Sequence, residues 1–277
     1  MAKIENDKYY TSKDLAKYCV EKTKEIIGQD NITEWLEPSA GSGSFLDYLD
    51  DNYLAYDILP EDNRIIKQNY LELNLEYKRG RCIIGNPPYG NKNNLTIQFY
   101  KKSIHLGDYI AFILPISQYQ NRNKLYEFDL VYCENLGVRS YSGINVHCCF
   151  NIYKRNNHGL NKKPNYKLKD VEIREALKNS NPKRRRIITK EDFNYDIRIM
   201  AWGGGIGRTN QLGCEVEYEG QFTKEFCIKV YNEKLKNNIM NLIKNTHWED
   251  IYPMTATPNL LQWQVYKYIK EQIPEIQ

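Results

Sequence analysis

The residues with the clearest chemistry in this chain are Asn86-Pro87-Pro88-Tyr89. A side-chain amide oxygen and a neighbouring backbone carbonyl can together accept the two hydrogens of a planar exocyclic amine. An aromatic face beside them can hold a base by stacking, worth roughly 1–3 kcal/mol. The two prolines fix φ and donate no hydrogen bond, so the turn that carries these groups is stiff. What must position it is the preceding run Ile83-Ile84-Gly85, which reads as a buried parallel strand ending at the carboxyl edge of an α/β sheet. Taken alone the tetrad is equally compatible with an ordinary loop, since Asn and Pro are common turn residues.

A second group of residues makes the stronger reading. Ile32 to Leu36 reads as a first strand, and Glu37-Pro38-Ser39-Ala40-Gly41-Ser42-Gly43-Ser44-Phe45 follows it. Glycines at this place let backbone approach a ligand at the start of the next helix. The acidic Glu37 argues against a phosphate there and suits a cationic amine. Tyr53 to Tyr56 reads as a second strand ending in Asp57, twenty residues beyond Glu37. A carboxylate in that position can accept hydrogen bonds from ribose hydroxyls. A third short strand, Ile65 to Lys67, leads to Asn69-Tyr70-Leu71, where the adenine end of a nucleoside cofactor commonly lies.

Over residues 9–155 these segments resemble the γ class of DNA adenine-N6 methyltransferases, which carry the cofactor loop first, the N-P-P-Y tetrad next and a target-recognition region last. The resemblance implies S-adenosyl-L-methionine as cofactor. Glu37 and the Gly41 and Gly43 backbone would hold its methionine part, flanked by Pro38 and Ala40. Asp57 would take the ribose beside Ile58, and Tyr70 would pack on the adenine. The family often has Asp where this chain has Asn69, an amide that can still pair with an adenine edge. Thr11 either touches the cofactor carboxylate or only caps a helix, as the pairing of Thr11 with Asp14 suggests. Asn86 and the Pro87 carbonyl would receive the amino hydrogens of a flipped-out adenine, Pro88 would stiffen the turn, and Tyr89 would stack on the base. An aromatic of the last strand would cover its second face. Phe150 and Tyr153 both compete for that place, and three positions apart on a strand they face opposite sides.

The rest of the chain is read for organisation. A helix with Leu15, Cys19 and Ile26 on one stripe runs to Gly28, and another spans Ile97 to Ile104. Tyr109 to Pro115 is a continuous apolar strand buried on both faces, and Leu130 to Cys133 and Cys148 to Tyr153 supply the final strands. The expected fold is therefore α/β, a Rossmann-like class I methyltransferase sheet over residues 1–155, with a smaller α+β recognition module over 156–277.

Charge is unevenly spread. Residues 151–190 hold 13 Lys or Arg against 3 Asp or Glu, while the whole chain is only +4, so the remainder is net acidic. Such asymmetry points to a polyanion partner, here double-stranded DNA, with Arg184, Arg185 and Arg186 on phosphates. Arg208 and Asn210, in a glycine-rich loop after Trp202, are further candidates for substrate contact, as are Thr255, Thr257 and Asn259. Ile197 to Met200, Val216 to Tyr218 and Phe226 to Val230 read as strands, and Leu235, Ile239, Leu242 and Ile243 as one face of a helix. A last short helix follows Gln262. The seven cysteines are odd in number and form no C-x-x-C pair, which suggests a reduced, cytoplasmic protein. His147 has no second ligand cluster, so no metal is expected. No apolar run approaches the roughly 20 residues of a membrane span. Methylation of RNA adenine, or of a release-factor glutamine by the same tetrad, is the alternative; the basic mass beyond Tyr153 weighs against glutamine. A companion restriction endonuclease is left open as a partner.

Overall fold

A computed structural model describes residues 10–141, 144–203, 211–254 and 258–277. The chain divides into two compact units, Met1–Pro164 and Asn165–Gln277. The expected break lay nine residues earlier. Residues 156–161 belong with the first unit because the Asn161 amide N–H donates to the Glu127 carbonyl and Asn156 and Asn161 both donate to the Asp129 carboxylate.

The first unit is built on seven strands: β1 (Glu34–Glu37), β2 (Tyr53–Asp57), β3 (Ile66–Lys67), β4 (Arg81–Gly85), β5 (Tyr109–Pro115), β6 (Asp129–Tyr141) and β7 (Ile144–Lys154). Their order is β3-β2-β1-β4-β5-β7-β6; β1 to β5 run parallel, while β7 is antiparallel to both its neighbours. This is the Rossmann-like α/β sheet that the sequence predicts. Two helices cover it, α1 (Lys13–Ile27) and α2 (Asn94–Ser103). Alternation along β5 sends Tyr109, Ala111 and Ile113 into the cluster shared with α1. Ile110, Phe112 and Leu114 enter the cluster shared with α2. All seven β5 residues are buried, as expected of a central parallel strand.

Three local expectations are corrected. The N-cap of α1 is Ser12, whose hydroxyl accepts from the Leu15 N–H at 3.4 Å, so Thr11 is not the cap. The glycine loop after β1 leads into a single 3-10 turn, Leu46–Tyr48, rather than a helix. The acidic turn at 50–52 brings the chain straight back into β2. The strand beginning at Leu130 is far longer than four residues, pairing with β7 along its length through two register shifts.

The second unit is α+β. Strands β8 (Val171–Leu177), β9 (Ile197–Met200) and β10 (Lys224–Val230) form an antiparallel sheet in the order β8-β10-β9. Helices α3 (Lys236–Asn245), α4 (Trp248–Ile251) and α5 (Gln262–Gln272) pack on one face around Phe226, Ile228, Ile239, Trp248 and Ile269. Val216–Tyr218 forms no strand; its neighbour Glu215 makes one isolated bridge to Ile199. The β8 strand was not expected in the basic junction. Among the described residues no helix is long and apolar enough to cross a membrane.

Candidate active site

The order β2-β1-β4 turns around at β1, and in such sheets ligands bind beyond the carboxyl ends of the strands at the turning point. Register brings the candidate residues to that edge. Glu37 pairs with Ala55, so Asp57 stands two residues beyond it; Leu36 pairs with Ile83, so Gly85 ends β4 beside them and Asn86 follows. A cleft of about 260 Å³ lies there, lined by Pro38, Gly41, Asp57, Ile58, Asn69, Tyr70, Asn86, Pro88 and Phe99 among others. A narrower recess beside it is lined by Thr11, Glu37, Ala40, Gly41 and Asn86. The sequence-predicted cofactor residues are therefore brought together, apart from Gly43, which shapes the loop instead. Gly41 and Gly43 hold φ of +54° and +78°, and a Cβ on Gly43 would press to 3.0 Å on the Asp62 carboxylate. Glycine there keeps the loop tight.

Glu37 is 2% exposed, and its Oε2 has no hydrogen-bond partner among the described residues. Burial first, and the nearby Asp57 charge second, push its carboxyl well above the usual range. A buried, unpaired carboxylate oxygen is costly unless something pairs with it. A cationic amine is the group that fits, which is the property the methionine end of S-adenosylmethionine has. The half-buried Asp57 does two jobs: its Oδ2 accepts from the Gly41 N–H and its Oδ1 from the Leu59 N–H, both at 2.8 Å. It thereby ties the glycine loop to β2, and each oxygen keeps a lone pair for a hydroxyl. Ile58 next to it is 49% exposed, an apolar side chain at the rim where a ring can lie.

Tyr70 does not present its ring. It is 1% exposed, packs on Phe99 at 5.1 Å between centroids and bonds Ser103 through its hydroxyl at 2.8 Å, so it forms the floor of the cleft. The Asn69 Oδ1 caps the following turn by accepting from the Leu71 N–H at 3.1 Å.

At the tetrad, the Asn86 amide is held from both ends. Its Nδ2 donates to the Thr11 hydroxyl at 3.2 Å, and its Oδ1 accepts from the Tyr89 hydroxyl at 3.1 Å. Tyr89 is buried among the residues under α1, with its hydroxyl 3.4 Å from Cys148 Sγ. Burial drives its phenol well above the ordinary value, which keeps it a neutral donor. Ser39 Oγ donates to the Asn86 carbonyl and Thr96 Oγ1 to the Pro88 carbonyl, each at 3.4 Å. None of the described residues donates to the carbonyl of Pro87, which is buried. Thr11 thus meets the Asn86 amide, a contact the sequence could not show. Tyr89 meets it too, instead of offering an open stacking face.

Phe150 and Tyr153 do face opposite sides of β7, one in each core cluster. Both are fully buried, and neither offers a face to a ligand. The second unit holds the remaining candidates. Arg184, Arg185 and Arg186 are exposed, and Arg186 reaches Glu175 at 3.2 Å. Asn259 accepts from Lys224 Nζ at 2.8 Å. Arg208, Asn210, Thr255 and Thr257 lie outside the described residues. His147 is engaged with Asn135 at 2.8 Å, and no group of three metal-ligating side chains occurs among the described residues.

No family model and no curated protein matches the chain. Solved structures do. A provisional RNA methyltransferase of Pyrococcus horikoshii is similar at 12% identity and a TM-score of 0.45, over 56% of this chain and 89% of that one. The 23S rRNA methyltransferase ErmE is similar at 13% and 0.40, over 56% and 72%. The magnesium protoporphyrin IX methyltransferase of Synechocystis PCC 6803, solved with bound SAM, is similar at 8% and 0.36, over 50% and 79%. At such values the likeness decides nothing about chemistry; the fold stands on strand order and register.

Proposed function

We propose that the first unit is an S-adenosylmethionine-dependent methyltransferase acting on the N6 amine of adenine in double-stranded DNA, with the second unit engaging the nucleic acid. The observation that carries it is a pair of features at one sheet edge. The buried Glu37 oxygen lacks a partner, and the Asn86 amide oxygen stands next to a Pro87 carbonyl to which no described residue donates. The first suits a cationic amino acid moiety and the second an exocyclic amine, with the cleft between them sized for a nucleoside.

Bound in the cleft, S-adenosylmethionine supplies an electrophilic methyl group on a sulfonium. The protein's work is positional. Glu37 pairs with the amino group of the methionine part; Asp57 receives ribose hydroxyls while anchoring the Gly41 loop. Asn86 Oδ1 and the Pro87 carbonyl each accept one hydrogen of the target amine, drawing its lone pair out of the ring plane and aiming it at the methyl carbon. Methyl transfer from the bound cofactor would replace one of the two amine hydrogens, whose proton would leave to water while the two oxygens hold the remaining N–H. Fixed acceptors that meet charge as it develops, at no reorganisation cost, account for acceleration without an acidic or basic side chain. Arg184, Arg185 and Arg186 contact phosphates, supplying salt-dependent affinity.

The test is transfer of a labelled methyl group from the cofactor to separately supplied duplex DNA, RNA and release-factor substrates. Label in N6-methyladenine of DNA supports the reading. Label in RNA, or on a glutamine, overturns the substrate and leaves the donor. No binding of the cofactor by calorimetry overturns both.

A further inference from the structure

The second unit contains a cleft that the methyl-transfer reading does not use. Its volume, about 260 Å³, equals that of the cleft in the first unit. Lys178, Arg185 and Arg186 line it together with one partly exposed carboxylate, Glu219, and Ile187 and Phe222 supply apolar side chains. We propose that this cleft binds one unpaired nucleotide of a nucleic-acid strand, its phosphate on the cations and its ring against Ile187 and Phe222.

Four features of the unit support this. The walls are preformed: Leu177 and Arg186 exchange backbone hydrogen bonds at 2.8 and 2.9 Å, and the Lys178 N–H donates to the Thr223 carbonyl at 2.8 Å. The floor is rigid and charge-balanced. Arg198, 4% exposed, bonds Glu225 through Nε and Nη2 at 2.7 and 2.6 Å, and Glu225 also accepts from the Phe222 N–H at 2.7 Å, fixing the wall that carries Phe222. The cations of the rim are only lightly engaged by the protein. Lys178 meets only a carbonyl, that of Gly220, and Arg185 has no side-chain partner among the described residues, while Arg186 has the single contact to Glu175. Finally, Ile187 is 60% exposed beside these charges. An apolar side chain flanked by exposed cations matches the two chemistries of a nucleotide, ring and phosphate. A base still paired in a duplex does not present its ring, so the occupant is unpaired.

The proposal rests on nucleic acid being the substrate, not on methyl transfer. The experiment uses the full chain. Fluorescence anisotropy with a labelled twelve-nucleotide single strand is followed over a range of salt for wild type, Lys178→Gln with Arg185→Gln, and Ile187→Ser, with cofactor affinity measured by calorimetry alongside. The double variant is expected to bind tens of times more weakly, with the log–log salt slope reduced by about 0.7, the contribution of one phosphate contact on a single strand. Ile187→Ser is expected to weaken binding several-fold with the slope unchanged. All three proteins should bind cofactor equally. A double variant with wild-type affinity and slope overturns the site, and a neutral Ile187→Ser overturns the ring contact. Displacement of the strand by deoxyadenosine monophosphate at equal concentration overturns the strand in favour of a free nucleotide. If wild type binds cofactor but no strand, this inference fails while the methyl-donor half of the reading stands; strand binding without cofactor binding shows the reverse.

Discussion

Glu37 and Glu225 are both buried carboxylates, 2% and 1% exposed, and their surroundings are opposite. Glu225 faces Arg198 and two backbone N–H groups, from Phe222 and Gly220, and nothing is left for a ligand. Glu37 has an oxygen that none of the described residues satisfies, a second acidic group nearby, and an open recess in front of it. The difference separates a carboxylate the fold uses for its own cohesion from one it buries unpaired beside a recess. The unpartnered carboxylate oxygen stands at the carboxyl edge of the first sheet beside an open recess, and that is where chemistry is expected.

Removing one partner from the satisfied pair should have the largest effect. Glu225→Ala strands a buried guanidinium, so denaturant unfolding should show a loss of about 3–5 kcal/mol. Cofactor affinity per folded molecule should be unchanged; a fall in it would mean that Glu225 is not merely structural.

At the unsatisfied edge the loss should fall on turnover instead. Asn86→Ala removes an acceptor that matters most as charge builds on the amine, and kcat is expected to drop about 10²–10³-fold with substrate and cofactor still bound. Single-turnover methylation at the normal rate would remove Asn86 from the mechanism.

Glu37→Gln is the direct counterpart of the first variant. Loss of a charge-assisted bond, worth about 1.5–3 kcal/mol, should weaken cofactor binding at least tenfold. Stability should respond in the opposite sense to Glu225→Ala. The folded-state carboxyl is raised above its ordinary value of 4.5, so the folded chain holds a proton that the unfolded chain releases. Cofactor-free protein is then most stable below that value and loses stability as pH rises through the window above it. Glu37→Gln should abolish that slope in pH-dependent melts. Cofactor binding to wild type should release a proton, seen as buffer-dependent heats in calorimetry.

The smallest effect sharpens the tetrad. Tyr89→Phe keeps a ring but removes the hydroxyl that holds Asn86 Oδ1, so kcat should fall about fivefold, the equivalent of one hydrogen bond near 1 kcal/mol, with KM unchanged. Unaltered kcat would return Tyr89 to a purely stacking role.

Most of the first sheet could be read from the chain because each strand is a run of apolar residues ending in a polar or glycine signal. Leu36 into Glu37, Ile84 into Gly85 and Tyr56 into Asp57 are of this kind, and register then leaves them little freedom. The β8 strand escaped notice because its charged residues, Glu172, Arg174 and Glu175, read as part of a charged junction. Val171 and Ile173 join the core under the helices, while Ala176 lies on the other face with Phe193 and Cys227. The helix expected after the glycine loop failed for a different reason: β2 begins too soon after Phe45 for more than one turn.

Residue identity alone determined that an amide, a carbonyl and two carboxylates would gather at the ends of neighbouring strands, because alternation and chain stiffness are local properties. It could not decide which of these groups are already satisfied. That Thr11 and Tyr89 grip the Asn86 amide, that Asp57 is shared with the Gly41 backbone, and that Tyr70, Phe150 and Tyr153 are spent on the core are results of packing between segments distant in the chain. Hydrogen-bond satisfaction and burial are properties of the assembled interior, and only the tertiary structure fixes them.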